Sequence, residues 1–523
     1  MPYNPPEHLT QHWQLTKPAA TGKRGMVVSQ SRDAALAGVA VLDAGGNAID
    51  AAVATALALA AMEPWNSGLG GIGFALVHRA GQPRAEVVDF GPRAPGKLDP
   101  SRYKLTGKET GDLFGWPEVE GDINIHGPLS FAIPSAPAGY AHMHKSWGAL
   151  PFAEVIAPAQ ALAKRGLPQD WFTTLKVASS AAVLRLYPES ARIYLPDGLP
   201  PIPPYQGTPG YFRLGKLPDT LDRLAAAGLR DFYEGDVARS IAADVAAIGG
   251  VLDLEDLRHC QARVTPPQEV AFAGRTLQLA GGLTASPTAA RVLEQMVAEP
   301  FGAEPGPAWF AALARAMKRA YAERLTGLGD AEPIAAESCT THLTVCDAEG
   351  TMVAVTTTLL SSMGSRVVLP GSGVLLNNGV MWFDPRPGQP NSMAPGKRPL
   401  TNMLPLILRD GGRPVLAAGA SGGRRIMAAV LQMLSFLAGF RMAPEPAAHQ
   451  PRIDVSDTET VHADRRLPPE ILDALRAESP VEELEYAVMP INFACPNFIV
   501  DRDGVRTGVS DAVSPWSAAV AQS

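Results

Sequence analysis

The 523-residue sequence predicts an α+β fold. Strand patterns occur toward both ends of the chain, helical patterns fill most of the interval between them, and no segment repeats. Taken in order, residues 34–43 and 49–62 read as helices separated by the Gly45-Gly46-Asn47 break. Strands follow at 74–78 and 85–90. Residues 101–127 are mixed and glycine-rich and read as an excursion. Helices are expected at 151–165, 217–248 and 306–324, with a proline- and glycine-rich surface loop at 196–215. From Thr340 onward the chain is strand-rich, with one strong helix at 424–437.

Composition narrows the function classes. Hydrophobic residues make up 46% and charged residues 19%, an ordinary globular balance with enough chain for a large core or two domains. A net charge of −7 gives no electrostatic reason to bind nucleic acid or an anionic membrane. No apolar run reaches the ~18–20 residues of a membrane span. The N-terminus lacks a basic stretch followed by an apolar core, so no signal peptide is expected. Cys260, Cys339, Cys346 and Cys495 are scattered without metal or disulfide spacing, which suits a reducing compartment and a cytoplasmic location.

The most informative stretch is Cys339-Thr340-Thr341-His342. It follows a polar segment, 331–338, and opens a β-hairpin whose turn lies in Asp347-Ala348-Glu349-Gly350. A Thr-Thr pair at a strand start is also what β propensity alone produces, so the surroundings must decide. If the 339–340 bond breaks, Thr340 becomes a chain terminus with its α-amine beside its own hydroxyl. An unperturbed α-amine has a pKa of about 7.7–8 and can act as general base, which activates the hydroxyl as a nucleophile. A two-residue loop at 348–349 would bring Thr340 opposite Thr357 and place Thr356-Thr357-Thr358 across the sheet from it. Gly419-Ala420-Ser421-Gly422-Gly423 runs into an apolar helix, and a glycine pair at a helix N-terminus offers unpaired N–H groups to a developing oxyanion.

Two other motifs are decoys. Gly68-Leu69-Gly70-Gly71-Ile72-Gly73 matches the dinucleotide fingerprint, but a helix precedes it and a strand follows, the reverse of what that site needs. Its glycines are expected to serve close backbone packing near the active site. His142 and His144 are i and i+2 on a predicted helix, so they are poorly placed to share a metal. No cofactor and no metal are expected.

These segments, with Gly25-Met26-Val27-Val28-Ser29, Asp89-Phe90, Ala94-Pro95, Asn377-Asn378, Lys397-Arg398-Pro399-Leu400 and Gly508-Val509-Ser510-Asp511, resemble the γ-glutamyltransferase family of N-terminal-nucleophile hydrolases over nearly the whole chain. The resemblance implies a four-layer αββα sandwich, where periodicity alone gives only mixed α and β. It implies a precursor that cuts itself between Cys339 and Thr340 into a large subunit, 1–339, and a small subunit, 340–523, which stay together as one interleaved catalytic domain. It implies Thr340 as nucleophile, Thr358 as the residue hydrogen-bonded to it, and Gly422 and Gly423 as the oxyanion hole. Thr358 is one residue beyond the simple hairpin register, so a bulge or a different loop is implied.

The chain departs from the family where substrate is read. The family asparagine two residues after Thr358 is Leu360. The glutamine after Asn-Asn is Gly379. The aspartate that pairs with the substrate ammonium is Trp382. The two serines that hold the carboxylate are Thr401 and Asn402. The arginine after Phe90 is Gly91, with Arg93 two residues on; were the strand to continue, Arg93 would share that face. An ammonium buried without its carboxylate partner costs several kcal/mol. The expected enzyme is therefore an amidohydrolase or acyltransferase with a non-glutamyl acyl group, resembling the cephalosporin acylase and oxamate amidohydrolase branch. Its expected partners are a small acyl amide and the two subunits of one precursor. The short 387–398 segment leaves no room for a lid, which predicts a pocket open to solvent. The alternatives are a glutathione hydrolase or γ-glutamyl transpeptidase that recognises substrate through Arg93 and Asn402, and an unprocessed binding protein.

Overall fold

The structure is a computed structural model and describes residues 15–109, 116–328, 339–456 and 459–523. Two seven-stranded antiparallel sheets face each other. The first runs, edge to edge, through Ala20–Gly22, Val505–Ser510, Cys495–Arg502, Arg413–Ser421, Leu406–Asp410, Arg275–Leu279 and Gln268–Phe272. The second runs through Ala518–Ala521, Met26–Ser29, Cys339–Cys346, Met352–Leu360, Ile72–His78, Glu86–Phe90 and Arg263–Thr265. Both sheets take strands from either side of the 339–340 bond.

Strand alternation directs the apolar side chains of the two sheets into three layers. Val27, Val345 and Val353 point from the second sheet into a core shared with the helices Arg32–Asp43 and Ala48–Met62. Their neighbours Met26, Val28, Cys346 and Ala354 point the other way and meet Ile407, Ala417 and Ile499 of the first sheet. Leu406, Leu408, Leu416 and Ala418 leave the far face of the first sheet to pack on the helices Ser286–Gln295, Pro307–Leu328 and Arg425–Leu434. Three apolar layers with a period of two along each strand therefore make four layers of structure: helices, sheet, sheet, helices.

The two N-terminal helices form where caps dictate. Ser31 accepts from the Ala34 N–H, and Asn47 and Asp50 form a capping box at the start of Ala48–Met62. The second helix is buried along its whole length, so its run of alanines lets neighbours approach it from every side. The 217–248 helix is instead three pieces, Leu217–Ala227, Asp231–Glu234 and Asp236–Ala247, because Gly228 turns at φ +83° after the first and Gly235 separates the others. The strong C-terminal helix is Arg425–Leu434, continued by a π turn over Ser435–Gly439. Residues 101–127 carry a two-stranded ribbon, Leu105–Glu109 with Pro117–Val119. The polar 331–338 segment lies outside the described residues.

Asp347, at the hairpin turn, fastens the second sheet to the long buried helix. One carboxylate oxygen accepts from the Ala48 N–H at 3.0 Å and the other from the Thr351 N–H at 2.8 Å. A carboxylate at a helix N-terminus is favoured by the helix dipole. Asp347→Ala leaves both donors buried and unpaired. It should destabilise the full-length chain by about 1–3 kcal/mol, read as a lower urea midpoint with unchanged slope.

Candidate active site

The site is built on the hairpin of Cys339–Cys346 and Met352–Leu360. Cys346 pairs with Met352 and Thr341 with Thr357. The Asp347 N–H donates to the Thr351 carbonyl at 3.1 Å, and Gly350 sits at φ +91°, so the loop is the three residues 348–350 and not the expected two. The register moves by one, and an irregularity follows between Cys339 and Thr341. Together these bring Thr340 opposite Thr358: the Thr340 Oγ1 donates to the Thr358 Oγ1 at 3.3 Å. The Thr358 Oγ1 also accepts from the Leu360 N–H at 2.8 Å. Thr357 faces the other way, donating to the Ile72 carbonyl and accepting from the Tyr140 hydroxyl, each at 3.2 Å.

His342 shares the face of Thr340 between the two sheets. Its Nδ1 lies 2.9 Å from the Thr356 Oγ1 and its Nε2 3.1 Å from the Thr344 Oγ1. Burial pushes its pKa down to about 3, so it stays neutral and serves packing. A β-carbon on Gly419 would lie 2.3 Å from the His342 ring, which is how closely the two sheets approach at this point.

Strand Arg413–Ser421 runs directly into Gly422 and Gly423, at φ +133° and +60°. A β-carbon on Gly422 would lie 2.6 Å from that of Ala494. The carbonyls of Gly422 and Gly423 accept from the Arg425 and Ile426 N–H groups, and the glycine N–H groups precede the first helical turn, where no intrahelical partner exists. Thr341, Gln30 and Ser421 connect this turn to the Cys339–Cys346 strand. The Thr341 hydroxyl reaches Gln30 Oε1 at 3.3 Å and Glu63 Oε2 at 2.6 Å, and Gln30 Nε2 donates to the Ser421 hydroxyl. Sequence reasoning did not identify Gln30, Glu63 or Thr341. Thr341 stands hundreds of positions from the other two, and no local motif marks them.

The residues expected to read substrate separate into two groups. Leu360, Met381 and Trp382 are buried in the apolar layer between the sheets with Ile72, Phe74 and Met403. Leu360 adopts φ +84°, a left-handed conformation that asparagine tolerates and leucine does not, at a cost of about 1–2 kcal/mol. A β-carbon on Gly379 would meet that of Ala132 at 2.6 Å, leaving no space for a longer side chain. The Trp382 Nε1–H is buried and has no acceptor among the described residues.

The other group turns away from the expected roles. Strand Glu86–Phe90 ends before Gly91, so strand alternation does not extend to Arg93. The Arg93 side chain is exposed and donates to the Gly396 carbonyl at 3.0 Å. Arg398 is the cation that approaches the Gly91 position: its Nη2 lies 2.6 Å from where a Gly91 β-carbon would stand, and it is paired with Asp89 through both Nη atoms. Asp89, Gly91, Arg93 and Arg398 line one 540 Å³ cavity. The Thr401 hydroxyl donates to the Leu283 carbonyl at 3.0 Å, and Asn402 Oδ1 accepts from Arg324 at 3.4 Å, so both polar groups serve the fold. Nor is the pocket open in the way the short 387–398 segment implied. Thr340 and Trp382 are each 3% exposed, and Asn391 from that segment donates to the Trp382 carbonyl at 2.6 Å.

The two decoys resolve physically. A helix precedes and a strand follows the glycine run, and β-carbons on Gly70 and Gly73 would meet the Leu375 and Thr356 carbonyls at 2.1 and 2.3 Å. His142 lies against Ser146 and His144 against the Leu150 carbonyl, so the two rings have different partners.

Comparison with known proteins agrees with this architecture. The sequence profile of the family described as Gamma-glutamyltranspeptidase matches residues 34–339 and 331–511. The Acylase ACY 1 proenzyme of Pseudomonas sp. (strain V22) is 32% identical over 477 residues, covering 84% of this chain and 83% of the relative. The glutathione hydrolase proenzyme of Escherichia coli (strain K12) is 28% identical, covering 94% and 90%. The crystal structure of cephalosporin acylase from Bacillus halodurans superposes with a TM-score of 0.85 over 99% of each chain, at 23% identity, and so shares the fold.

The hairpin register separates the two candidate partners of Thr340. Thr358→Val keeps the side-chain shape and removes the hydroxyl. It should slow scission of the 339–340 bond by on the order of 10- to 1000-fold, followed as the loss of full-length chain on a gel. Thr357→Val should instead cost roughly 1–2 kcal/mol of stability and leave scission near the wild-type rate.

Proposed function

This chain belongs to the γ-glutamyltranspeptidase family, whose members hydrolyse amide bonds, and on that premise we propose that it is a self-processing amidohydrolase with Thr340 as nucleophile and a non-glutamyl acyl substrate. The observation that carries the reading is the 3.3 Å contact of the Thr340 and Thr358 hydroxyls at the start of a central strand.

In processing, Thr340 Oγ1 attacks the Cys339 carbonyl carbon. The C–N bond breaks as the C–O bond forms and the hydroxyl proton passes to the nitrogen, giving an ester and the free Thr340 amine, and water then cleaves the ester to restore the Thr340 hydroxyl and release the Cys339 carboxylate. In turnover the free amine takes the hydroxyl proton and passes it to the leaving amine. The acyl group is held on Thr340 Oγ1 as an ester until water, or an acceptor amine, removes it. The Gly422 and Gly423 N–H groups are suited to the oxyanion of both steps, because they are fixed before charge develops. Residues 1–339 and 340–523 remain interleaved in both sheets after the cut. A small acyl amide is the substrate, and neither the composition nor any helix among the described residues calls for a membrane.

The acyl specificity is supported by the polarity of the buried shell. A glutamyl site must present an acceptor to the substrate ammonium. Here the side chains of Leu360 and Gly379 offer none, and Trp382 offers an N–H donor without a partner among the described residues. A donor suits an acyl group bearing an oxygen and no ammonium. The glutathione hydrolase alternative draws on Arg93 and Asn402, whose side chains are engaged with Gly396 and Arg324.

Wild-type protein should migrate as two bands of about two-thirds and one-third of the chain, and Thr340→Ala as one band. Fully active enzyme with an intact 339–340 bond by mass spectrometry would falsify the nucleophile assignment. For specificity, kcat/KM for a glutaryl anilide should exceed that for the matching γ-glutamyl anilide by about tenfold or more, since an uncompensated ammonium costs more than one methylene contact. A preference for the γ-glutamyl compound sinks the non-glutamyl reading and leaves the nucleophile assignment standing.

A further inference from the structure

Glu63 immediately follows the buried helix Ala48–Met62 and is 2% exposed. The turn it begins grips both strands of the catalytic hairpin. Its carboxyl meets the Thr341 hydroxyl at 2.6 Å, and the Asn66 carbonyl, three residues on, accepts from the Leu359 N–H at 2.8 Å. Thr341 and Leu359, adjacent in sequence to Thr340 and Thr358, are thus held from behind by one turn. The side chain of Asn66 completes the turn, donating to Glu63 Oε1 at 2.6 Å and to Gln30 Oε1 at 3.2 Å.

Counting protons shows that only the neutral acid makes the hydrogen-bond chain continuous. The Thr341 hydroxyl has one hydrogen but lies against two acceptors, Glu63 Oε2 and Gln30 Oε1. With Glu63 ionised, one of those two contacts is oxygen against oxygen with no proton between them. With Glu63 neutral, its O–H donates to Thr341, Thr341 donates to Gln30, and Gln30 Nε2 donates to the Ser421 hydroxyl. Ser421 directly precedes the Gly422–Gly423 turn.

We propose that Glu63 is a positioning residue for Thr340: as a neutral acid it closes the hydrogen-bond chain Glu63–Thr341–Gln30–Ser421 and so fixes the nucleophile strand against the glycine turn. This rests on the reading of Thr340 as nucleophile. Burial pushes the Glu63 pKa up to about 7, against the pull of Thr341, Asn66 and the Lys176 charge from helix Trp171–Ala178. Of the other titratable groups around the chain, the Cys495 thiol, beside Gln30 and Ser421, is pushed up to about 12 by burial and stays neutral. Ionisation of Glu63 above about pH 7 therefore removes the proton that the chain needs.

The test uses the full-length chain made by cell-free translation, with scission at 339–340 followed at about pH 6 and pH 9, on either side of the Glu63 titration. The uncut chain has no free Thr340 amine to titrate. Glu63→Gln keeps a donor toward Thr341 and an acceptor toward Asn66 but cannot ionise. The ratio of its scission rate to that of wild type should rise by about fivefold or more from the lower pH to the higher. Glu63→Ala should be slower than Glu63→Gln by about tenfold at the lower pH, and in a Thr341→Val background the Gln-to-Glu ratio should become flat with pH. A Gln-to-Glu ratio that is already flat when Thr341 is intact, with wild type cleaving normally, overturns the role of Glu63 and leaves the nucleophile reading standing. So does a ratio that still rises with pH in the Thr341→Val background. A wild-type chain that is active and never cut overturns both readings.

Discussion

The pairing register of one hairpin governs the site. Because side chains alternate along a strand, moving the Cys339–Cys346 strand by one residue against Met352–Leu360 exchanges Thr357 for Thr358 as the neighbour of Thr340. That register is held at both ends. At the turn, the three-residue loop closes on Gly350 and Asp347 is bonded to the start of the buried helix. At the open end, the turn after that helix grips Thr341 and Leu359. The long helix is thus a strut whose two ends fasten the two ends of the hairpin.

Much of the fold was legible because its signals are local. The two N-terminal helices begin within two residues of their expected starts, since Ser31 and the Asn47–Asp50 box are readable caps. The expected 217–248 helix was read through Gly228 and Gly235, whose breaks outweigh the helical pattern around them. At the site, Thr340, Gly422 and Gly423 sit on motifs that name their own geometry. Thr358 came from family resemblance against the simple register, because loop length is decided by the conformation of Gly350 and not by the spacing of apolar residues. Arg93 was assigned by carrying strand alternation past the end of a strand. Glu63 was illegible for another reason: its partner Thr341 is 278 positions away, and a lone acid after a helix carries no local mark of burial.

The positions expected to read substrate pack as a set. With Trp382 in place of an acceptor, the proposed site would welcome different chemical groups, and the neighbouring positions pack to match. Gly379 has no space for a side chain, and Leu360 joins the same apolar layer at the expense of backbone strain. The proposed specificity is therefore a property of packing between the sheets more than of any one contact, which is why a single return to a carboxylate at 382 would leave the ammonium poorly surrounded.

The interleaving of the two sheets has a consequence for how the protein survives. In the uncut chain, unfolding and refolding are events of one molecule. In the proposed processed form each sheet would be shared between two polypeptides, and losing the fold would release them from each other. Return then requires an encounter, so it slows on dilution and competes with aggregation of exposed strand edges. The proposed two-chain form would consequently be protected by the height of its unfolding barrier, and its lifetime would be a rate more than an equilibrium.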